Sequence, residues 1–285
     1  MPTFTNQATL SYNAGSASSN IVTGEIIQVL SATKNLLDEG YRPGDPVTYT
    51  VSIVNSGTTQ FTGVSFSDNL GAYTPAGSTQ TLYPLDFNGV LNYYVNGTLQ
   101  AAPQITEGPP LTVSGLTVPA GGNALIIYQA VPNGFAPLGC DSTIVNTVTV
   151  AAQTLSAPLT ASATASAICA TDLSITKTLS PTTVAENGTL TYTFLIENFG
   201  STPATAGDNL SVTDTFDPNL SNSTVTLNGT PLTTPADYTY NTSTGLFRTV
   251  PGRITVPAAT YVRDPESGVW TTVPGTATLT ITGTV

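Results

Sequence analysis

Apolar and small polar residues alternate along most of this chain. Residues 47–54 (VTYTVSIV) and 190–196 (LTYTFLI) are clear examples, and a period of two is what a strand buried on one face requires. Glycine, proline, asparagine and aspartate interrupt these runs at short intervals, as turns between strands do. No window carries the 3.6-residue apolar spacing of an amphipathic helix, and abundant threonine suits a pleated surface better than a helical one. The pattern predicts an all-β chain of sandwich type.

Two long segments repeat one another. Ala32-Thr-Lys-Asn35, the turn near Gly44, the Val47 strand, Asn55-Ser-Gly57 and Phe66-Ser-Asp-Asn69 return as Ile175-Thr-Lys-Thr178, Asn187-Gly188, the Leu190 strand, Asn198-Phe-Gly200 and Val212-Thr-Asp-Thr215. Val95-Asn-Gly97 matches Leu227-Asn-Gly229, both reading as hairpin turns. Residues 118–127 match 273–281. With 285 residues the chain has room for two modules.

The first copy continues into a strand around Asn146 and an Ala/Ser/Thr-rich strand ending near Ile168, whereas the second copy has no such continuation after Ile281. Its counterpart stands at the front of the chain. Residues 4–10 (FTNQATL) resemble the strand around Asn146, and residues 16–26 resemble 159–168, with Asn6 in the place of Asn146. The expected organisation is therefore N-terminal donor strands over 1–28, a complete Ig-like β-sandwich module over 29–170, and a module over 171–285 that lacks its closing strands. A sandwich without edge strands exposes core and unpaired backbone, and a detached strand pair does not fold alone. Both problems are solved if residues 4–28 of one subunit complete the second module of the next, by β-strand complementation. Donor and acceptor surfaces differ, so such contacts propagate head to tail into a filament. Folding back onto the same chain's second module, a closed dimer, and an incidental N-terminal extension are the alternatives.

Composition narrows the chemistry. Hydrophobic residues make up 40% of the chain, enough for real cores despite only 8% charged residues. The net charge of -11, without a basic cluster, disfavours nucleic acid and anionic lipid as partners. There is no histidine, the commonest general base and transition-metal ligand, and no EF-hand loop. No enzyme activity on an external substrate, no metal and no cofactor is expected. No apolar stretch reaches membrane-spanning length. The opening residues MPTFTN lack the basic start and apolar run of a secretory signal. The expectation is that the chain begins after processing or reaches an outer surface by another route, such as release of a spore by lysis of its mother cell.

The only lysines, Lys34 and Lys177, occupy equivalent repeat positions, each followed by an acid at a matching place, Asp68 and Asp214. The first copy adds Asn146; Asn6 of a neighbour would supply the same residue to the second. Desolvation favours the neutral amine and the neutral acid. The amine can then attack the asparagine side-chain carbonyl, polarised by the acid, releasing ammonia and leaving an amide cross-link. Such a bond forms once, within the protein. The alternative is a pair of ordinary ion pairs, with Asn146 serving a turn or the backbone. Cys140 and Cys169 flank the two closing strands of the first copy, whose antiparallel pairing would bring them together as a disulfide suited to an oxidising exterior; free thiols are the alternative. Tyr93 and Tyr94 are candidates for a face used in lateral or ligand contact.

Asp172-Leu-Ser-Ile-Thr-Lys-Thr178, the Leu/Val-Thr-Tyr-Thr strands, Asn-x-Gly, Val-Thr-Asp and Asn146-Thr-Val-Thr-Val150 resemble the repeat family called domain of unknown function 11. The resemblance covers residues 29–285 and implies Ig-like modules of bacterial and archaeal surface proteins, for which a stalk or fibre role is natural. The chain departs from that pattern in the missing final Asn strand of its second copy. The expected role is a structural subunit of an extracellular fibre on a cell or spore surface. Its partners would be other copies of itself, with a surface anchor or tip protein at the ends. The alternative class is a monomeric surface adhesin or carbohydrate-binding module, presenting an aromatic patch on loops 71–110.

Overall fold

The computed structural model describes residues 3–155 and 157–285. The chain is all-β, as its alternating pattern predicts, and the one helical turn among the described residues is a short 3-10 segment, Ala206–Asp208. It divides into two compact units, residues 1–136 with 143–166, and residues 137–142 with 167–285.

The first strands form two short antiparallel ribbons. β1 (Thr3–Asn6) pairs with β4 (Val22–Glu25), and between them β2 (Thr9–Tyr12) pairs with β3 (Gly15–Ser18). These strands pair only with one another. From Thr3 to Gln28 every residue is exposed except the half-buried Gly24.

The first unit then runs through β5 (Leu30–Leu36), β6 (Val47–Asn55), β7 (Phe61–Asp68), β8 (Leu85–Val95), β9 (Thr98–Leu99), β10 (Gln104–Thr106), β11 (Leu111–Val118), β12 (Asn123–Pro132), β13 (Thr143–Ala151) and β14 (Leu159–Ser166). Two five-stranded antiparallel sheets result, in the orders β5-β6-β12-β8-β9 and β10-β11-β7-β13-β14. Alternate residues of each strand are buried: Tyr49, Val51 and Ile53 of β6, Ile126 and Tyr128 of β12, Phe66 of β7, and Ile144, Val148 and Val150 of β13. Burying each such side chain contributes roughly 1.5–3 kcal/mol. The edge strand β14 places Ala163 and Ala165 in the core and packs along β5, which closes that side of the sandwich.

The second unit contains β15 (Leu173–Ser180), β16 (Thr189–Asn198), β17 (Thr213–Thr215), β18 (Ser221–Leu227), β19 (Thr230–Pro231), β20 (Tyr238–Tyr240), β21 (Leu246–Thr249), β22 (Thr260–Arg263), β23 (Trp270–Val273) and β24 (Gly275–Thr284). Its larger sheet, β15-β16-β24-β18-β19, repeats the first unit's order strand for strand. Even the turns match. Asn96-Gly97 and Asn228-Gly229 have positive φ throughout, the conformation that two-residue hairpins require, and each asparagine also accepts a backbone N–H, from Asn123 at 2.9 Å and from Thr278 at 2.8 Å. The facing sheet differs. It has three strands, β17-β21-β20, and β17 pairs on one side only. The core lies between the two sheets and includes Tyr192, Phe194, Phe216, Phe247, Leu279 and Ile281.

Candidate functional site

Lys34 stands on β5 and faces inward, paired in register with Val51. Asp68 closes β7, where it lies opposite Leu111 on one side and Val148 of β13 on the other. Asn146 is on β13, two residues before Val148 and on the same face. The sandwich brings all three together, buried: the side chains of Lys34 and Asp68 are both 0% exposed, and Asn146 is fully covered. Lys34 Nζ lies 2.6 Å from Asp68 Oδ2. Two tyrosines of the central strands complete the cage, with the ammonium 4.8 Å from the Tyr49 ring centre and 5.7 Å from that of Tyr128.

The hydrogen bonds form a chain. The Tyr128 hydroxyl donates to Asp68 Oδ2 and accepts from Asn146 Nδ2 at 3.2 Å. Asn146 Oδ1 accepts the Gly71 N–H at 3.3 Å, and Asp68 Oδ1 accepts the Leu70 N–H at 2.8 Å. The carboxyl thus reaches the amide through Tyr128, at its nitrogen, while a backbone N–H holds the carbonyl oxygen. Sequence reasoning assigned the polarisation of that carbonyl to Asp68 and missed Tyr128. Burial pushes the Lys34 amine down to about 8, against the opposing pull of Asp68. Burial and then the Asp68 charge drive the Tyr128 hydroxyl well above its ordinary value. The Tyr49 hydroxyl is raised by the same causes in the same order and makes no hydrogen bond of ordinary geometry, although the nearby Asn146 amide works against its rise.

The second unit repeats the beginning of this arrangement. Lys177 of β15 contacts Asp214 of β17 and lies 4.5 Å from the Tyr192 ring centre and 5.4 Å from that of Phe216. Tyr192 matches Tyr49. The partner of Tyr192 on β24 is Ile281, standing where Tyr128 stands opposite Tyr49. The decisive difference is exposure: the Lys177 side chain is 40% exposed. Nothing in the second unit corresponds to β13 on the free side of β17, or to β14 along β15, among the described residues. Leu173 and Ile175 of β15 are exposed for that reason, whereas Leu30 of β5 is buried.

Asn6 lies on the exposed β1, opposite Val22, and meets neither lysine within the chain's described contacts. Its setting nevertheless copies that of Asn146. Phe4, Asn6, Ala8 and Leu10 follow the spacing of Ile144, Asn146, Val148 and Val150, and the strand partners follow too, Val22 for Ala163 and Gly24 for Ala165. A Cβ on Gly24 would come within 2.4 Å of the Phe4 ring, so a large residue on one strand meets a minimal one on the other, as Ile144 meets Ala165.

Cys140 and Cys169 are joined in a disulfide, with Cα atoms 5.0 Å apart, where the chain enters β13 and leaves β14. Cys140 also contacts the Ser201 hydroxyl at 3.3 Å, which places it with the second unit. Tyr93 is buried and its hydroxyl bonds both the O and N–H of Thr117, at 2.9 and 2.8 Å, so it is no part of a free face; Tyr94 is half-buried. Asn55 and Asn198, quoted only as repeat markers, are fully buried pins: each side chain donates to two loop carbonyls or more and accepts the N–H two residues on. Among the described residues no group of three or more His, Cys, Asp or Glu could hold a metal ion, and no helix is long and apolar enough to cross a membrane.

No protein-family profile and no curated protein matches this chain, so the resemblance to domain of unknown function 11 rests on its motifs alone. Among solved structures it is similar to BcpA, the major pilin subunit of Bacillus cereus, at 11% identity and a TM-score of 0.36, over 96% of this chain and 73% of that one. It is similar to the pilus backbone RrgB of Streptococcus pneumoniae at 13% identity and 0.34, over 86% of this chain and 55% of that one. A collagen-binding domain from a Staphylococcus aureus adhesin matches 49% of this chain and 99% of its own length, at 14% identity and 0.30. At these values the likeness transfers no activity or partner to this chain.

Proposed function

We propose that this protein is the structural subunit of an extracellular fibre on a cell or spore surface, in which β1 to β4 of one copy complete the second unit of the next. The observation that carries the reading is the bare side of β17 beside a half-exposed Lys177, set against an exposed N-terminal ribbon patterned like β13 and β14. In this reading residues 1–28 are the donor, 29–170 a complete module and 171–285 the acceptor. Ala8 takes the place of Val148 opposite Asp214, and Asn6 arrives at Lys177. Phe4 and Leu10 pass from solvent to core, each contributing roughly 1.5–3 kcal/mol. The motif resemblance to domain of unknown function 11 agrees with a surface role.

Covalent closure follows from the same juxtaposition. Neutral Lys34 attacks the Asn146 carbonyl carbon, the Nζ–Cγ bond forms, the Cγ–Nδ2 bond breaks and ammonia leaves. The same exchange between Lys177 and Asn6 joins subunits. No oxidant or cofactor is consumed, and an amine that burial lowers to about 8 gives up its proton far more readily than an exposed lysine, which supplies the nucleophile such a step needs in the same buried cage as the amide.

Denaturing, reducing electrophoresis with intact mass tests both claims. The expected outcome is a ladder at multiples of the 29.3 kDa chain, each link lowering the mass by about 17 Da as ammonia departs. Lys177→Ala assembles but falls to single chains in denaturant. A single band of unaltered mass from assembled wild-type material would sink the cross-links.

A further inference from the structure

The first unit holds one group that its fold does not require. Tyr128 and Ile281 occupy the same place on equivalent strands, each paired across the sheet with a tyrosine of the neighbouring strand. Both side chains are buried, and the second unit builds the same sheet in the same order with an aliphatic residue there. A phenol in an apolar core must find partners or forfeit its hydration. This one finds Asp68 and the nitrogen of Asn146, the atom that must depart if the amide is exchanged.

We infer that Tyr128 is the proton relay of the Lys34 to Asn146 reaction, passing a proton from Asp68 to the leaving nitrogen. The inference rests on the cross-link proposed above and names a catalytic residue for it. An amide nitrogen leaves as ammonia only when protonated, because its anion is far too basic to be expelled. The required hydrogen comes from the attacking amine. Lys34 lies against Asp68 Oδ2 at 2.6 Å, so the amine hydrogen passes to that carboxyl. Attack turns the amide carbon tetrahedral and gives Nδ2 a lone pair. The Tyr128 hydroxyl, which rests on Asp68 and accepts from Nδ2, then turns to donate its proton to Nδ2 as Asp68 passes the proton it received to the Tyr128 oxygen. Each group ends as it began, one hydrogen has moved from Nζ to Nδ2, and nothing is oxidised or reduced. The Gly71 N–H meanwhile holds the carbonyl oxygen on which negative charge develops.

The test uses full-length chain recovered unfolded, diluted into buffer, and sampled by intact mass with peptide mapping of the Lys34 to Asn146 bond. Tyr128→Phe keeps the ring and removes the relay, so the bond is expected to form about a hundredfold more slowly, the scale of a lost general acid. Folding is checked in a Lys34→Ala background, where no bond forms and Tyr128→Phe is expected to leave a cooperative, native-like unit. Should that variant not fold, the wild type decides alone: in mixed light and heavy water the relay predicts a bowed dependence of rate on deuterium fraction, since two protons move together, and a straight line overturns it. Bond formation in folded Tyr128→Phe within about threefold of wild type also overturns it. Wild type that never loses ammonia refutes the cross-link itself, a result distinct from either.

Discussion

An amine that titrates near 8 in the folded chain and near 10.5 outside it makes stability depend on pH. Its folded pKa lies below its unfolded value, so between those limits the unfolded chain binds more protons and unreacted protein becomes more stable as pH rises. The full difference amounts to about 3 kcal/mol. Above about pH 10 the buried tyrosines, whose folded values are raised, oppose the gain. Asn146→Ala, which retains a free Lys34, is therefore expected to melt at a rising temperature from about pH 8 to 9.5, whereas cross-linked wild type shows no such rise because an amide does not titrate. Thermal melts across that range check it. The lysines, their acids and Asn146 were legible as residues because the repeat aligns them and lysine occurs nowhere else. Tyr128 was not: in a strand of period two a tyrosine among inward positions reads as one more apolar side chain, and nothing local joins it to Asp68, 60 residues away, or to Asn146 on the next strand.

At the level of elements, the proposed complementation makes the ribbon and the bare strand a lock whose fit would depend on alternation. Leu10 is two residues beyond Ala8 and shares its face, so in the proposed completed sandwich it would occupy the buried place of Val150. Leu10→Asp is expected to weaken assembly at least a hundredfold, about 3 kcal/mol, by carrying an unpaired carboxylate into the core, while the first unit's melting temperature stays unchanged; sedimentation and calorimetry on one sample read both. Strand existence and pairing were largely legible, since alternation and Asn-Gly turns specify both. The assignment of residues 137–142 to the second unit was not: the pairing of Cys140 with Cys169 was legible from the hairpin they flank, but the contact of Cys140 with Ser201 has no local signal. The marginal length of β17, three residues, also escaped the pattern; a strand paired on one side has less to hold it extended.

For the molecule as a whole, the proposed donor and acceptor lie in different units, so a filament built in this way would have two unlike ends. A chain lacking residues 1–28 accepts a neighbour's ribbon and offers none. Added during growth, it is expected to cap one end only, shortening fibres in proportion to its share without dissolving those already made, as length distributions by electron microscopy would record. The disulfide adds a mechanical property to this arrangement. In the proposed fibre, tension entering the first unit at β5 would cross from Lys34 to Asn146 through the proposed amide, run back along the start of β13 to Cys140, and step through the disulfide to Cys169. The strands between Lys34 and Asn146, and the hairpin beyond it, lie off that line. A fibre under load would then lengthen by little more than the slack of a few residues per subunit, and reduction of one sulfur bridge would release the hairpin as a reserve of extension without parting the fibre.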